Sequence, residues 1–308
     1  MIEIKGLTRR YGALTAVDGL NFSVERGEIC GFIGPNGAGK TTTIRMLATL
    51  LQPTHGDATI GGHSVSHDRM EVRRLLGYMP DTFGVYEDML VEEYLHFFAA
   101  MYRIASDRRD KVVDEILQLT DLTGKKHALI RTMSRGNQQR LGLARVLVHN
   151  PEVLLLDEPA SGLDPRARIE IRALISELGK MKKTILVSSH ILREMSDLCH
   201  SIAIIEAGRL VYKGPVSDAL KMAASGLVVE FKVAAEPQKA LDTAGVIEGV
   251  KRVWEENGIL RAEFDRPDRD ISGIPEALVK AGLKVTMFRE AQADLEEAFL
   301  SLTKGKVT

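Results

Sequence analysis

Only two cysteines, Cys30 and Cys199, occur in the chain, and their separation fits neither a metal-ligand nor a redox spacing. Cys30 lies in an apolar segment, where a buried free thiol is expected, and so low a cysteine content suits a reducing compartment. An excess of one charge is missing as well: the formal net charge is −1 and the isoelectric point near 6.7. Proteins whose main partner is a nucleic-acid backbone carry a basic surplus, so that class is disfavoured. No apolar run reaches the roughly 18 residues of a membrane helix, and the chain is not expected to span a bilayer by itself. Residues 1–6 are charged and strand-like, so no secretory signal is expected there. Internal repeats and low-complexity tracts are absent. The charge runs DRRDK (107–111) and REAQADLEE (289–297) read as solvated faces. What is present is length and apolar content: 308 residues, 44% hydrophobic, enough for one large domain with a sizeable core and a small second one.

The most informative stretch is GPNGAGKT, residues 34–41. It matches the phosphate-binding pattern G-x-x-x-x-G-K-[ST] through Gly34, Gly39, Lys40 and Thr41. Glycines let the backbone curl so that its N–H groups converge on phosphate oxygens. A lysine there bridges β- and γ-phosphates, and a threonine hydroxyl is a natural Mg²⁺ ligand. EICGFIG (28–34) predicts a strand before the loop and TTIRMLATLL (42–51) a helix after it, so the loop sits at a helix N-terminus. A second motif, VLLLDE (153–158), is a buried strand from which two acids emerge. Asp157 suits an Mg²⁺ shell and Glu158 the polarisation of an attacking water. SSH (188–190) ends the next strand and sets His190 where ligands gather in an α/β sheet.

Along the chain, residues 2–28 alternate apolar and polar and predict antiparallel hairpins, with Tyr11 a partly buried aromatic in a turn. Residues 53–65 are strand-rich, and LLGYMP (75–80) predicts a short strand. Helices are predicted over 91–104, 110–122 and 136–150. A strand at 151–159, a helix at 166–181, a strand at 183–190, a helix at 191–199 and a strand pair at 201–214 follow. Strands alternating with helices indicate an α/β sheet. Past a junction around 215–226 the pattern is strand (227–233), helix (237–244), strands (249–254 and 259–264), helix (272–282), strand (284–289) and a last helix (291–302). That βαββαβ order suggests a small ferredoxin-like domain.

Taken in order, these motifs resemble the ATP-binding subunit of an ATP-binding cassette (ABC) transporter over about residues 2–220. MSRGNQQR (133–140) stands at the signature position, SGLD (161–164) at the D-loop, and His190 at the switch histidine. The resemblance implies an α/β P-loop NTPase cassette over 1–220. Its parts are a RecA-like core, an antiparallel β subdomain and a helical subdomain at about 85–150, with a small C-terminal α+β domain over 225–308. It implies ATP and Mg²⁺ as cofactors. Pro35, Asn36, Gly37, Ala38 and Thr42 complete the phosphate loop; Thr41, Asp157 and Asp81 are the metal positions. Glu158 and His190 are catalytic, Tyr11 matches the aromatic that stacks on adenine, and Ser134, Gly136, Asn137 and Asp164 act across a subunit interface. Two departures from the family stand out, one in the signature, where Arg135 and Asn137 replace glycine and glutamine, and one at Asp81, which stands where a glutamine follows the strand.

The partners implied are a multi-spanning membrane permease and a second ABC subunit, a homodimer being the expected form and a heterodimer left open. No nucleic acid is expected. The location implied is cytoplasmic, peripheral on the inner face of the cell membrane. ADLEEAFLSLT (293–303), together with residues 84–99, resembles ATPases that pair with ABC-2 type membrane subunits, including drug-resistance exporters. A soluble cassette acting in translation or DNA repair is the alternative. Such chains usually carry two cassettes or long coiled-coil or basic insertions, which this chain lacks. An importer ATPase is argued against by the tail, and a purely regulatory nucleotide binder by the presence of Lys40, Asp157, Glu158 and His190 together.

Overall fold

The computed structural model describes residues 1–223, 227–266 and 269–291. The expected helix over 291–302 and the ADLEEAFLSLT stretch lie outside the described residues, apart from Ala291. The chain divides into two compact units between Val216 and Ser217.

The first unit opens with β1 (Ile2–Tyr11) and β2 (Leu14–Val24), an antiparallel hairpin paired from Ile2 opposite Val24 to Tyr11 opposite Leu14, with register shifts past Ile4. Ile2 and Ile4 are buried while Glu3 and Lys5 between them are exposed, the two-residue period of a strand with one wet face. Then come β3 (Ile29–Ile33), α1 (Lys40–Leu47), β4 (His55–Ile60), β5 (His63–Ser64), α2 (Arg69–Leu75) and β6 (Leu76–Met79). The strands β2, β1, β4 and β5 form one antiparallel sheet in that order. α1 is shorter than the predicted 42–51 helix. Thr49, with φ 61°, leaves the helical region and ends the run. α2 was not expected: it buries only Val72, too little periodicity to register in a sequence pattern.

Three helices follow, α3 (Val91–Met101), α4 (Ser106–Leu119) and α5 (Arg135–Leu147). Their apolar stripes meet in a separate small core that includes Tyr94, Leu95, Leu117 and Leu141. The chain then returns through β7 (Val153–Leu156), α6 (Pro165–Lys180), β8 (Thr184–Ser189), α7 (Leu192–Ser196), β9 (Ser201–Glu206) and β10 (Arg209–Pro215). These strands build a sheet in the order β10-β9-β3-β8-β7-β6, parallel except for the antiparallel edge strand β10. Every residue of β3 and β7 is buried, as strands covered on both faces must be. The register Ile33–Ser189, Leu156–Val187 and Met79–Leu156 brings the carboxyl ends of β3, β8, β7 and β6 to one sheet edge. In an open α/β sheet that edge is where ligands bind.

The second unit begins within α8 (Val216–Ala223), a helix the sequence pattern did not reveal. It continues with β11 (Val228–Val233), α9 (Pro237–Gly245), β12 (Val250–Glu256), β13 (Ile259–Phe264), α10 (Gly273–Lys280) and β14 (Val285–Glu290). The antiparallel order β12-β13-β11-β14 is that of the expected ferredoxin-like βαββαβ arrangement. Val229, Phe231, Leu260 and Phe264 pack against Leu241, Ile274 and Leu278 of the two helices.

Candidate functional site

Between β3 and α1 the backbone is forced into a narrow course. Gly37 and Gly39 adopt φ of 82° and 101°, the left-handed region that favours glycine. A Cβ at Gly39 would stand 2.5 Å from the Ala16 carbonyl oxygen, and one at Gly34 would run into the Ile205 carbonyl. The loop is therefore wedged between β2 and β9, and Gly34 and Gly39 are steric requirements. Ala38 is buried beneath it. No side chain caps the N-terminus of α1, so its first N–H groups are left for an anion. The Lys40 side chain is buried; its ammonium donates to the Gly34 and Pro35 carbonyls at 2.7 and 3.2 Å.

A cavity of about 310 Å³ opens above this loop. Pro35, Asn36, Gly37, Gly39, Lys40, Thr41 and Thr42 line one side; Asp81, Glu158, Ser161 and His190 face them. Asp157, just past β7, is fully buried. Its N–H donates to the Met79 carbonyl at 2.8 Å, and its Oδ1 accepts from the Ser188 hydroxyl at 2.6 Å. Its Oδ2 is buried with no hydrogen-bond partner. Burial pushes the Asp157 carboxyl above its ordinary range, the Ser188 and Thr41 hydroxyls pull it back, and the nearby Asp81 and Glu158 carboxylates raise it further. Glu158 holds φ 50°, unusual for a residue with a side chain. Its N–H donates to Ser188 Oγ at 2.9 Å, its Oε2 lies 2.7 Å from His190 Nδ1, and its Oε1 lies 3.4 Å from Lys40 Nζ.

Ser188 thus accepts from Glu158 and donates to Asp157 through one hydroxyl. Sequence reasoning passed over it as part of a strand. Gln139 was passed over too: it is buried on α5 and donates its Nε2 to the Pro159 carbonyl at 2.7 Å. Ser188 is signalled by being a polar residue at the end of the apolar, buried run ILV, whereas Gln139 stands between the polar Gln138 and Arg140 and has no such signal.

Ser134, Gly136, Asn137, Asp164 and Tyr11 are not part of this cavity's wall within one chain. Ser134 caps α5, accepting from the Asn137 N–H at 3.4 Å, and Asp164 caps α6, accepting from the N–H groups of Arg166 and Ala167 at 3.0 Å. Ser134, Gly136, Asn137 and Asp164 line a second cavity of about 410 Å³ that shares no residue with the first. Tyr11 stands at the tip of the β1–β2 hairpin, about half exposed, with the Arg9 guanidinium 4.6 Å from its ring centre. It is not part of the phosphate-loop cavity wall. Asp81 is exposed and its Oδ1 accepts from the Thr82 N–H at 2.8 Å.

Chemically, the cavity combines backbone amide donors at a helix N-terminus, one ammonium, a partnerless buried carboxylate oxygen and a carboxylate–imidazole pair. The first two suit phosphate oxygens. The Asp157 oxygen and the Thr41 hydroxyl are hard donors that fit Mg²⁺. Among the described residues no cluster of three or more His, Cys, Asp or Glu stands ready to hold a metal. A site with so few protein oxygens matches an ion that keeps waters and shares substrate phosphates.

A family profile described as ABC transporter matches residues 17–161. The bacitracin transport ATP-binding protein BcrA of Bacillus licheniformis is 34% identical over 99% of this chain and 98% of its own length. An uncharacterized ABC transporter ATP-binding protein of Bacillus subtilis, YhcH, is 32% identical over 98% of this chain and 96% of its own. The daunorubicin resistance ATP-binding protein DrrA3 of Streptomyces coeruleorubidus is 33% identical over 98% and 95%. Among solved structures, an ATP-binding subunit of an ABC transporter superposes with a TM-score of 0.65 at 30% identity, covering 72% of this chain and 92% of that one. A dimeric, post-hydrolysis ATP-binding cassette bound to ADP and Pi gives 0.63 at 25% identity, covering 70% and 99%.

Proposed function

The chain belongs to the ATP-binding proteins of ABC transporters, and from that premise we propose that it is the motor of an exporter, paired with a separate ABC-2 type membrane subunit. It is an ATPase subunit, and the proposal concerns what it drives and how its residues divide the work. The observation that carries the reading is the split of the site. The phosphate loop with Glu158 and His190 lines one cavity, and Ser134, Gly136, Asn137 and Asp164 line another; on this proposal each would be half of a nucleotide enclosure. Two copies arranged head to tail would complete two sites.

In that arrangement Lys40 exchanges its carbonyl partners for β- and γ-phosphate oxygens, and the amides of residues 34–42 cradle the rest. Thr41 and Asp157 would hold Mg²⁺, with Asp81 within reach of the same cavity, and the ion would neutralise phosphate charge. Glu158 takes the proton of the attacking water, with His190 orienting its carboxylate. Ser134, Gly136 and Asn137 of the second copy close over the γ-phosphate, and Asp164 sits at that seam. Tyr11 is the proposed adenine contact, reached from the hairpin tip.

Three observations support a membrane partner. BcrA is named for bacitracin transport, DrrA3 for daunorubicin resistance, and other relatives for Nod factor export. No helix among the described residues is long and apolar enough to cross a membrane, so a transport path would need another chain. Finally, a groove of about 330 Å³ is lined by Leu50, Tyr78, Phe98 and Tyr102 together with Arg73 and Arg145, and Tyr86, Phe97 and Met101 are exposed, a mixed apolar and basic surface suited to a protein partner. The location proposed is the cytoplasmic face of the membrane. Tagged purification from gently solubilised native membranes tests the reading. A multi-spanning protein recovered in matching amount supports it; recovery of ribosomes or DNA-repair factors instead would sink it in favour of a soluble cassette.

A further inference from the structure

The loop from Pro159 to Leu163 joins the Glu158 end of β7 to the Asp164 cap of α6. Two residues of α5 hold it. Gln139 grips the start, through its buried bond to the Pro159 carbonyl. Arg135, the first residue of α5, covers the far part. A Cβ built on Gly162 would lie 2.5, 2.7 and 2.8 Å from Nη2, Cζ and Nη1 of Arg135. Three nearly equal distances mean that the guanidinium plane lies flat on the Gly162 backbone. Gly162 has φ 67°, so the loop turns sharply beneath the plane, and a side chain there would have to push the guanidinium aside. Next to it, a Cβ on Gly136 would stand 3.0 Å from the Ala167 Cβ, so the start of α5 already abuts the start of α6.

We propose that Arg135 is a positioning residue: its guanidinium straps the 159–163 loop to the N-terminus of α5 and thereby sets the Glu158 carboxylate of the same chain when that helix end engages a nucleotide. The resemblance places a glycine at this position, and a glycine has no atoms to span the gap. The arginine departure therefore supplies a mechanical link between the two half-sites of one chain. The contact is made by a planar group stacked on backbone, which lysine, a point charge on a flexible stem, cannot reproduce. The inference rests on Glu158 being the water-activating base.

The test is a double-mutant cycle on the full-length chain, with steady-state ATP hydrolysis as readout. Arg135→Gly is expected to lower kcat roughly three- to tenfold with KM for ATP unchanged. Arg135→Lys is expected not to restore it. Gly162→Ala, whose methyl displaces the guanidinium, is expected to lower kcat by a similar factor, and the double variant to be no slower than Gly162→Ala alone. Losses that multiply, a loss carried by KM, or full rescue by lysine would each overturn the strap; the last two would make Arg135 a charge for a phosphate instead. A Glu158→Gln control separates the two ideas. If that variant keeps turnover, the base assignment fails; if it is dead while the cycle is additive, only the strap fails.

Discussion

His190 Nδ1 lies 2.7 Å from Glu158 Oε2, so the imidazole holds one oxygen of a carboxylate whose other oxygen faces the Lys40 ammonium at 3.4 Å. The pair fixes the direction of Glu158, which already carries a left-handed backbone at φ 50°. In the proposed role, Glu158 would accept a proton from one defined place above the phosphate loop, and the two groups that hold it, Lys40 and His190, line the same cavity. The ammonium, the carboxylate and the imidazole thus form one line, an ion pair on one side of Glu158 and a hydrogen bond on the other.

Glu158→Gln keeps the size of the side chain and removes its basicity. ATP binding is expected to persist while turnover falls by about 10²–10⁴-fold, the range a positioned general base supplies. The variant should also accumulate as an ATP-bound dimer, visible as a doubled mass by light scattering with ATP and Mg²⁺. Unchanged steady-state hydrolysis would remove Glu158 from its role.

Much of this was legible in the sequence because the chemistry is local. A phosphate loop needs Gly39 and Lys40 adjacent, and a buried strand that ends in two acids prints VLLLDE as consecutive letters. The ferredoxin-like order was legible too, since six alternating elements in so short a stretch leave few arrangements. What stayed hidden depends on contacts between distant residues. Ser188 earns its place only because β7 and β8 are neighbours in register, and Arg135 only because Gly162 passes under it. The short α2, with one buried residue, had no period to detect.

Ser188→Ala should leave the Asp157 Oδ1 and the Glu158 N–H without their shared partner. The first is buried and the second partly so, and an unsatisfied buried group costs about 1–3 kcal/mol. Expected are a lower urea midpoint of the first unit and a fall in kcat larger than any change in ATP affinity. Ser188→Thr, which keeps the hydroxyl, is the control. Equal loss in both variants would mean that packing, not the hydrogen bonds, matters there.

Asp81→Gln replaces the departing residue by the family's amide. Asp81 is exposed, and its observed bond is to the neighbouring Thr82 N–H, so the phosphate loop does not lean on it. ATP affinity is expected to change by no more than about twofold, the size of an ordinary surface substitution. Titration with a fluorescent ATP analogue, with and without Mg²⁺, reads this directly. Abolished binding would show that Asp81 holds the nucleotide itself.

In the second unit, Glu230 on β11 is buried and accepts from Arg261 at 2.9 and 3.1 Å and from Arg289 at 2.6 and 2.8 Å. Burial alone would raise its carboxyl, but the bonds from Arg289 and Arg261 outweigh that and hold it below the ordinary 4.5. A carboxyl depressed in the folded state is more often protonated in the unfolded chain. Its contribution is therefore present above that ordinary value and is lost as pH falls through the depressed one. Glu230→Ala leaves two arginines facing each other across β11 with no anion between them. The cost at neutral pH is expected to be about 2 kcal/mol in the unfolding of this unit, followed by the fluorescence of Trp254 on β12. The same comparison at a pH below the depressed value should show the gap between variant and parent narrowing, because the parent carboxyl is then protonated too. A gap that stays constant across that window would mean that Glu230 supports the sheet through packing rather than charge.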